Sequence, residues 1–286
     1  MSGEIIENSR LVTKDLSHRV LNSIMNPEEG IHTGYVDWDY WQHGFKLGKL
    51  YLLAARPGMG KTALALDLVQ NICCENKQKT AYFTLDESRE TILKKLIFNC
   101  AELDFSKVIT GSFEENELIN LQDAADFVGE APLIIDDTSS IKIEEIEELL
   151  DQRLYAGVKL VIIDYLQLIN SAGASNIDID KICRTLKNLA EKKNIIIVVL
   201  ARIGRETENR KEHRPMKDDL RKIGVSPNLF EVVYSLYRDE YYHRNTDEKG
   251  IAEITAMWSR ENRCGTVLLQ WDSECYSFKS RENRKN

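Results

Sequence analysis

The sequence predicts an α/β fold built on a mostly parallel sheet, on three observations. Short β-branched runs, apolar almost throughout, alternate with helical segments, as strands buried on both faces of a parallel sheet do. A glycine-rich stretch ending in Lys-Thr joins the first run to the helix after it. Toward the C-terminus the runs draw together, separated by turn residues instead of helices, which marks an antiparallel extension of the same sheet.

The elements follow in order. Between Ile5 and Met25 the apolar residues Leu11, Leu16, Val20, Ile24 and Met25 recur at helical steps, predicting an amphipathic helix that Pro27 to Gly30 ends. Its stripe packs on its own domain or docks on a neighbouring subunit. The alternating part predicts strands at Lys49–Ala55, Thr80–Asp86, Pro132–Asp136, Lys159–Asp164 and Ile195–Leu200. Helices are expected at Thr62–Asn76, Arg89–Ala101, Glu114–Val128, Ile143–Ala156 and Ile179–Lys193, with right-handed crossovers. The antiparallel part comprises Leu229–Tyr237, Ile251–Trp258, Thr266–Trp271 and Cys275–Lys279. The organisation expected is an N-terminal helical segment over 1–30, one large domain over 31–280 and a solvated tail over 281–286.

Composition narrows the class. With 286 residues, 43% hydrophobic and 29% charged, and only 15 Gly and 5 Pro, the chain is neither disordered nor of low complexity. Its 38 Lys plus Arg against 46 Asp plus Glu give a net charge of −8, so nucleic-acid contact requires a local basic patch. The 6 cysteines form no Cys-x-x-Cys pair, which argues against a metal cluster or a disulfide framework. Met1 to Arg10 is charged and lacks the apolar core of a signal peptide, and no run approaches the roughly 18 to 20 apolar residues of a membrane span. A reduced, cytoplasmic protein without membrane attachment is the expectation.

The chemistry concentrates in Ala55-Arg-Pro-Gly-Met-Gly-Lys-Thr62, which matches the phosphate-loop pattern except that alanine stands at the first glycine. Arg56, Pro57, Gly58, Met59, Gly60, Lys61 and Thr62 are the candidate nucleotide-binding residues. Glycines let backbone N–H groups turn toward phosphate oxygens, and the helix N-terminus adds its positive dipole end. Lys61 is placed to reach the β- and γ-phosphates of ATP, and Thr62 to hold Mg²⁺. A turn that merely joins strand to helix does not call for Lys-Thr in this context.

Leu160-Val-Ile-Ile-Asp164 delivers a carboxylate to the C-terminal end of a strand, where ligands bind in open α/β sheets. Asp164 is the second metal candidate, with Asp136 and Asp137 as competitors. Asp86 or Glu87, following another strand, could orient an attacking water. The densest basic stretch carries Arg202, Arg205, Arg210, Arg214 and Arg221, candidates for a nucleic-acid backbone; interleaved Glu206, Glu208, Glu212, Asp218 and Asp219 keep a merely solvated loop open. Arg260 and Arg263 could reach a nucleotide held by another subunit.

Together, Thr33-Gly-Tyr-Val-Asp-Trp-Asp39, Ala54-Ala-Arg-Pro-Gly-Met-Gly-Lys-Thr62, Phe83-Thr-Leu-Asp86, Ile162-Ile-Asp-Tyr-Leu-Gln-Leu168, Asp219-Leu-Arg221, Tyr237-Arg-Asp-Glu240 and Lys249-Gly-Ile-Ala-Glu253 resemble the C-terminal ATPase domain of DnaB-type replicative DNA helicases. The likeness runs from about Thr33 to Phe278 and does not include the family's N-terminal domain, which meets primase. It implies a RecA-like fold, a homo-oligomeric ring that is usually a hexamer, Mg·ATP between subunits and single-stranded DNA in the channel. A helicase loader or primase would be a further partner. It also implies that the Ile5–Met25 helix is the linker to the next subunit, and that loops near Asn170–Asp180 and Arg202–Gly224 face the channel. Lys61, Thr62 and Asp164 match the family's nucleotide and metal residues. Asp86 stands where the family has glutamate, and Arg202 where it has glutamine. In the segment that supplies the finger in trans, Arg260 stands where the family has lysine and the arginine falls on Asn262 or, with a gap, Arg263, so that Arg260 or Arg263 would act there. Besides a helicase motor, a non-hydrolysing ring or regulatory subunit and a RecA-like recombination ATPase fit the same core.

Overall fold

A computed structural model describes residues 29–170 and 178–281, together with Ser17, Val20, Leu21 and Met25. Contacts along the chain separate a unit over 1–30 from one over 31–286. In the first, Ser17, Val20, Leu21 and Met25 are helical and exposed. The rest of the expected Ile5–Met25 helix lies outside the described residues, as do 171–177 of the first expected channel loop and 282–286 of the tail.

The larger unit opens with a short helix, α1 (Val36–Gln42), whose Trp38 is buried. Strand β1 (Leu50–Ala55) leads through the glycine loop into α2 (Lys61–Val69), which continues as a π-helical turn over Gln70–Glu75. Then follow β2 (Thr80–Thr84), α3 (Arg89–Cys100), α4 (Lys107–Thr110), α5 (Glu115–Gly129) and β3 (Leu133–Asp136). Next come α6 (Ile143–Asp151), β4 (Leu160–Asp164), α7 (Ile179–Lys193), β5 (Ile196–Arg202) and α8 (Lys217–Lys222). Four strands close the unit: β6 (Val232–Tyr237), β7 (Ile251–Ser259), β8 (Gly265–Asp272) and β9 (Ser277–Ser280).

These strands form one sheet in the order β3-β2-β4-β5-β1-β6-β7-β8-β9. Strand β1 is buried along its whole length, and its side chains alternate between two cores. Tyr51, Leu53 and Ala55 join one core with Leu64 and Leu68 of α2, while Leu50, Leu52 and Ala54 join the other with Leu186 and Leu189 of α7. This two-sided burial is why the strand reads as unbroken apolar sequence. Helix α3 starts at Ser88, whose side chain accepts the Thr91 N–H, and α7 starts at Asp178, which accepts that of Lys181.

The parallel and antiparallel parts are both present, but their border lies one strand later than the spacing suggests. The segment expected to begin the antiparallel part holds β6, which pairs parallel with β1; only β7, β8 and β9 are antiparallel. The turn Pro227–Leu229 and the short α8 take the place of a crossover helix, a connection too brief for periodicity to reveal. Strand β2 stops at Thr84, short of Asp86, and its last bond to β4 runs from the Leu85 N–H to the Asp164 carbonyl.

Candidate nucleotide-binding site

The loop after β1 bends through Gly58 at φ 81° and Gly60 at φ 99°, the left-handed region that favours glycine. Space demands glycine as well. A Cβ on Gly58 would stand 2.7 Å from Tyr241 Cε2, and one on Gly60 2.8 Å from Phe278 Cζ. Gly60 caps α2 without a side-chain acceptor, so the first N–H groups of this nine-residue helix are left for a ligand's oxygens.

Thr62 Oγ1 donates to Asp164 Oδ2 at 2.7 Å, and Tyr82 O–H donates to the same oxygen at 3.0 Å. Register explains the meeting: Asp164 is opposite Thr84 at the end of β4, and Ala55 is opposite Arg202 across β5. Burial pushes the Asp164 carboxyl above its ordinary value, although Thr62, Tyr82 and Lys61 pull the other way. A buried carboxylate beside a hydroxyl is a hard-oxygen donor set, and a Mg²⁺ ion fits it.

Lys61 is 8% exposed, and its Nζ lies 3.4 Å from the Arg56 carbonyl. Burial lowers its pKa to about 8; Asp164 opposes the shift, while Arg202 and Arg56 add to it. An anion that needs Lys61 charged should therefore bind best below pH 8 and lose about tenfold in affinity for each unit above it. Triphosphate titrations at pH 7 and 9 check this. The slope should vanish in Lys61→Arg, whose guanidinium does not titrate there.

These groups line a cavity of about 460 Å³ with Asp86, Arg202, Arg238 and Trp271. Asp86 and Arg202 meet in an ion pair. Glu87 also lines the cavity, but its carboxylate is held by Lys95 at 2.5 Å. Asp136 accepts from Tyr155 O–H and Asp137 pairs with Arg89, so both competitors for the metal face other partners. The Arg56 side chain turns away to Glu208 and the Ile203 carbonyl, leaving its backbone in the loop.

Two site residues escaped the sequence reading. Arg238, 8% exposed, donates through Nη2 to the Gly58 carbonyl at 2.9 Å and lies 4.2 Å from the Trp271 ring centre. Its Nε has no partner, and burial pulls its pKa below the ordinary value. Only the pairing of β6 with β1 brings it to the loop. The one signal was its place in Tyr237-Arg-Asp-Glu240, just past a strand end.

The nominated basic residues do not gather on one surface. Arg202 is at the cavity, Arg210 makes a two-pronged pair with Asp219, and Arg214 makes one with Glu253. Arg205 and Arg221 are exposed, and Arg221 borders an open groove of about 620 Å³ with Lys217 and Trp258. Arg260 follows β7, whose Ser259 pairs with Val232 at the start of β6. That end of the sheet is opposite the glycine loop, roughly 20 Å away along a six-residue strand. Arg260 there bonds to the Asn228 carbonyl, and Arg263 pairs with Glu261. Neither reaches the cavity of its own chain.

A sheet of this order, with a glycine loop after its central strand and Lys61, Thr62 and Asp164 meeting at one cavity, defines a RecA-like phosphate-loop protein. The chain belongs to the DnaB-like helicase C-terminal domain family, which matches residues 30–280. It is 32% identical over 262 residues to the replicative DNA helicase DnaB of Geobacillus stearothermophilus, covering 89% of this chain and 57% of that protein. The replicative DNA helicase DnaC of Bacillus subtilis (strain 168) matches at the same identity and coverage. The chain thus spans little more than half the length of these relatives. Among solved structures, one of an ATPase domain superposes with a TM-score of 0.87 at 27% identity, over 96% of this chain and 100% of that one. A DnaB-like replicative helicase studied with its primase gives 0.86 at 27% identity, over 96% of this chain and 67% of that one. The RadB recombinase, with a TM-score of 0.56 and 16% identity over 88% of this chain, shares the fold. Among the described residues no helix is long and apolar enough to cross a membrane.

Proposed function

We propose that the chain is the Mg·ATP-hydrolysing motor domain of a DnaB-like replicative helicase, acting as a homo-hexameric ring on single-stranded DNA. The observation that carries this reading is the Thr62–Asp164 hydrogen bond at the mouth of a glycine loop with Lys61 beside it, in a chain of this family. Lys61 would neutralise charge on the β- and γ-phosphates, and Thr62 and Asp164 would hold a magnesium ion beside them. Magnesium supplies Lewis-acid stabilisation of the phosphate charge. Arg238, buried against Trp271, fixes the loop through the Gly58 carbonyl.

The far-end position of Arg260 and Arg263 supports a ring. Guanidinium groups there are out of reach of their own chain's nucleotide and would meet one bound by the next copy. Exposed Arg205, and Arg221 through its exposed pair with Asp218, are the nominated cations placed to meet a DNA backbone, and a loader or primase would be recruited by the assembled ring.

Steady-state ATP hydrolysis with and without single-stranded DNA tests the reading, alongside gel filtration with nucleotide. DNA-stimulated turnover by a ring-sized species is expected. Thr62→Ala should cut turnover about 10²-fold and raise the magnesium concentration needed for half-maximal rate. Turnover indifferent to both DNA and Thr62 would remove the motor assignment.

A further inference from the structure

We propose that Arg202 is a catalytic cation supplied by the same chain: it restrains Asp86 in an ion pair until a γ-phosphate arrives, then moves onto that phosphate and frees Asp86 to orient the attacking water. This inference rests on the Mg·ATP reading of the site.

The backbone of Arg202 is held by hydrogen bonds, and its head by an exposed ion pair and a ring face. Gln167 grips the residue on both sides, donating to its carbonyl at 2.8 Å and accepting its N–H at 3.2 Å. Its guanidinium carbon lies 3.8 Å from the centre of the Tyr165 ring, immediately after Asp164 in the chain. The flat ring stacks on the planar guanidinium and holds it at the cavity. Among the described residues, the side chain's hydrogen-bond partner is Asp86, reached through Nη2. The remaining N–H groups are available to a ligand.

The pair is built to break. Its side chains are 42% and 48% exposed, and exposed pairs of this kind are weak. A γ-phosphate offers more negative charge than one carboxylate and accepts a guanidinium fork at two oxygens. The neighbouring arginines and Lys95 are already engaged. Arg56 is committed to Glu208, Arg238 to Gly58 and Trp271, and Lys95 to Glu87. Glu87 being held, Asp86 is the rim carboxylate that becomes free when Arg202 leaves.

In the step itself, the water oxygen bonds to the γ-phosphorus as the bond from phosphorus to the β–γ bridging oxygen breaks. The electron pair of the broken bond stays on that oxygen, giving ADP. One water proton remains on the released phosphate, and the other passes by way of Asp86 to solvent. Arg202 meets the charge that spreads over the γ-oxygens during this transfer.

The test uses fluorescent ADP and the fluorescent β,γ-imido analogue of ATP, titrated into the full chain and into Arg202→Ala and Asp86→Asn, with turnover measured beside them. Arg202→Ala should bind the analogue about tenfold more weakly while holding ADP within about twofold, which also reports an intact fold. Asp86→Asn releases Arg202 and should bind the analogue about threefold more tightly. Both variants should lose about 10²- to 10³-fold in turnover. An Arg202→Ala protein that keeps wild-type turnover, or that loses ADP and analogue affinity equally, overturns the inference. A wild type that binds neither nucleotide overturns the reading beneath it, and the inference with it.

Discussion

Lys61→Ala should abolish ATP turnover, by about 10³-fold, in a protein at least as stable as the wild type. The two halves of this expectation have one cause. Lys61 is buried and its pKa is drawn down to about 8, so in the unliganded chain its charge works against folding. The unfolded chain holds the lysine proton up to about pH 10.5, while the folded chain releases it near 8. Between those values the unfolded state binds more protons, so wild-type stability rises with pH across that window. Below it the full penalty applies, on the order of 3 kcal/mol, which outweighs the few methylenes that alanine gives up. A triphosphate reverses the balance by supplying the missing counter-charge. Hydrolysis assays and thermal melts at pH 7 check both parts. A variant that loses turnover together with several degrees of Tm would show Lys61 to be a structural residue.

How much of this was legible in the sequence depends on where each contact comes from. Lys61 and Thr62 are joined to their loop by the chain itself, and Asp164 ends an unbroken apolar run, so linear pattern was enough. Arg238 directly follows β6 and Trp271 lies in β8, and the sheet order alone brings them to the cavity. The direction of Arg202 was hidden for a different reason. Among so many neighbouring charges, composition cannot tell an arginine at the end of β5 from one in the loop beyond it. Arg210 and Arg214 show the same limit, since their partners Asp219 and Glu253 are set by tertiary pairing. The parallel pairing of β6 was missed because periodicity reports burial and not direction.

Asp67 was not singled out by its sequence at all, yet its replacement should cost the most stability. It sits inside α2, 4% exposed, and accepts from Tyr35 O–H at 3.0 Å, Phe278 N–H at 2.7 Å and Asn99 Nδ2 at 2.5 Å. One carboxylate thus ties the loop helix to α3, to the segment before α1 and to β9, whose Phe278 ring packs against Gly60. Asp67→Ala strands the buried Phe278 and Asn99 donors, at about 1 to 3 kcal/mol each, weakens the hold on Tyr35, whose O–H keeps the Phe278 carbonyl at 3.3 Å, and removes a carboxyl that is costly once it ionises. The net loss should be about 3 to 5 kcal/mol at pH 5.

The pH dependence separates these two contributions. Burial raises the Asp67 carboxyl from 3.8 to about 7, against the pull of its three donors. The folded state therefore binds its proton more tightly than the unfolded state does. Its favourable contribution is complete below about pH 4 and is lost as pH rises through 7, a swing of about 4 kcal/mol. The variant has no such carboxyl, so the gap between wild type and Asp67→Ala should narrow from pH 5 to pH 8. Urea unfolding of both proteins at those two values measures it. A gap that stays constant would mean that Asp67 is ionised throughout and that its three hydrogen bonds alone hold it in place.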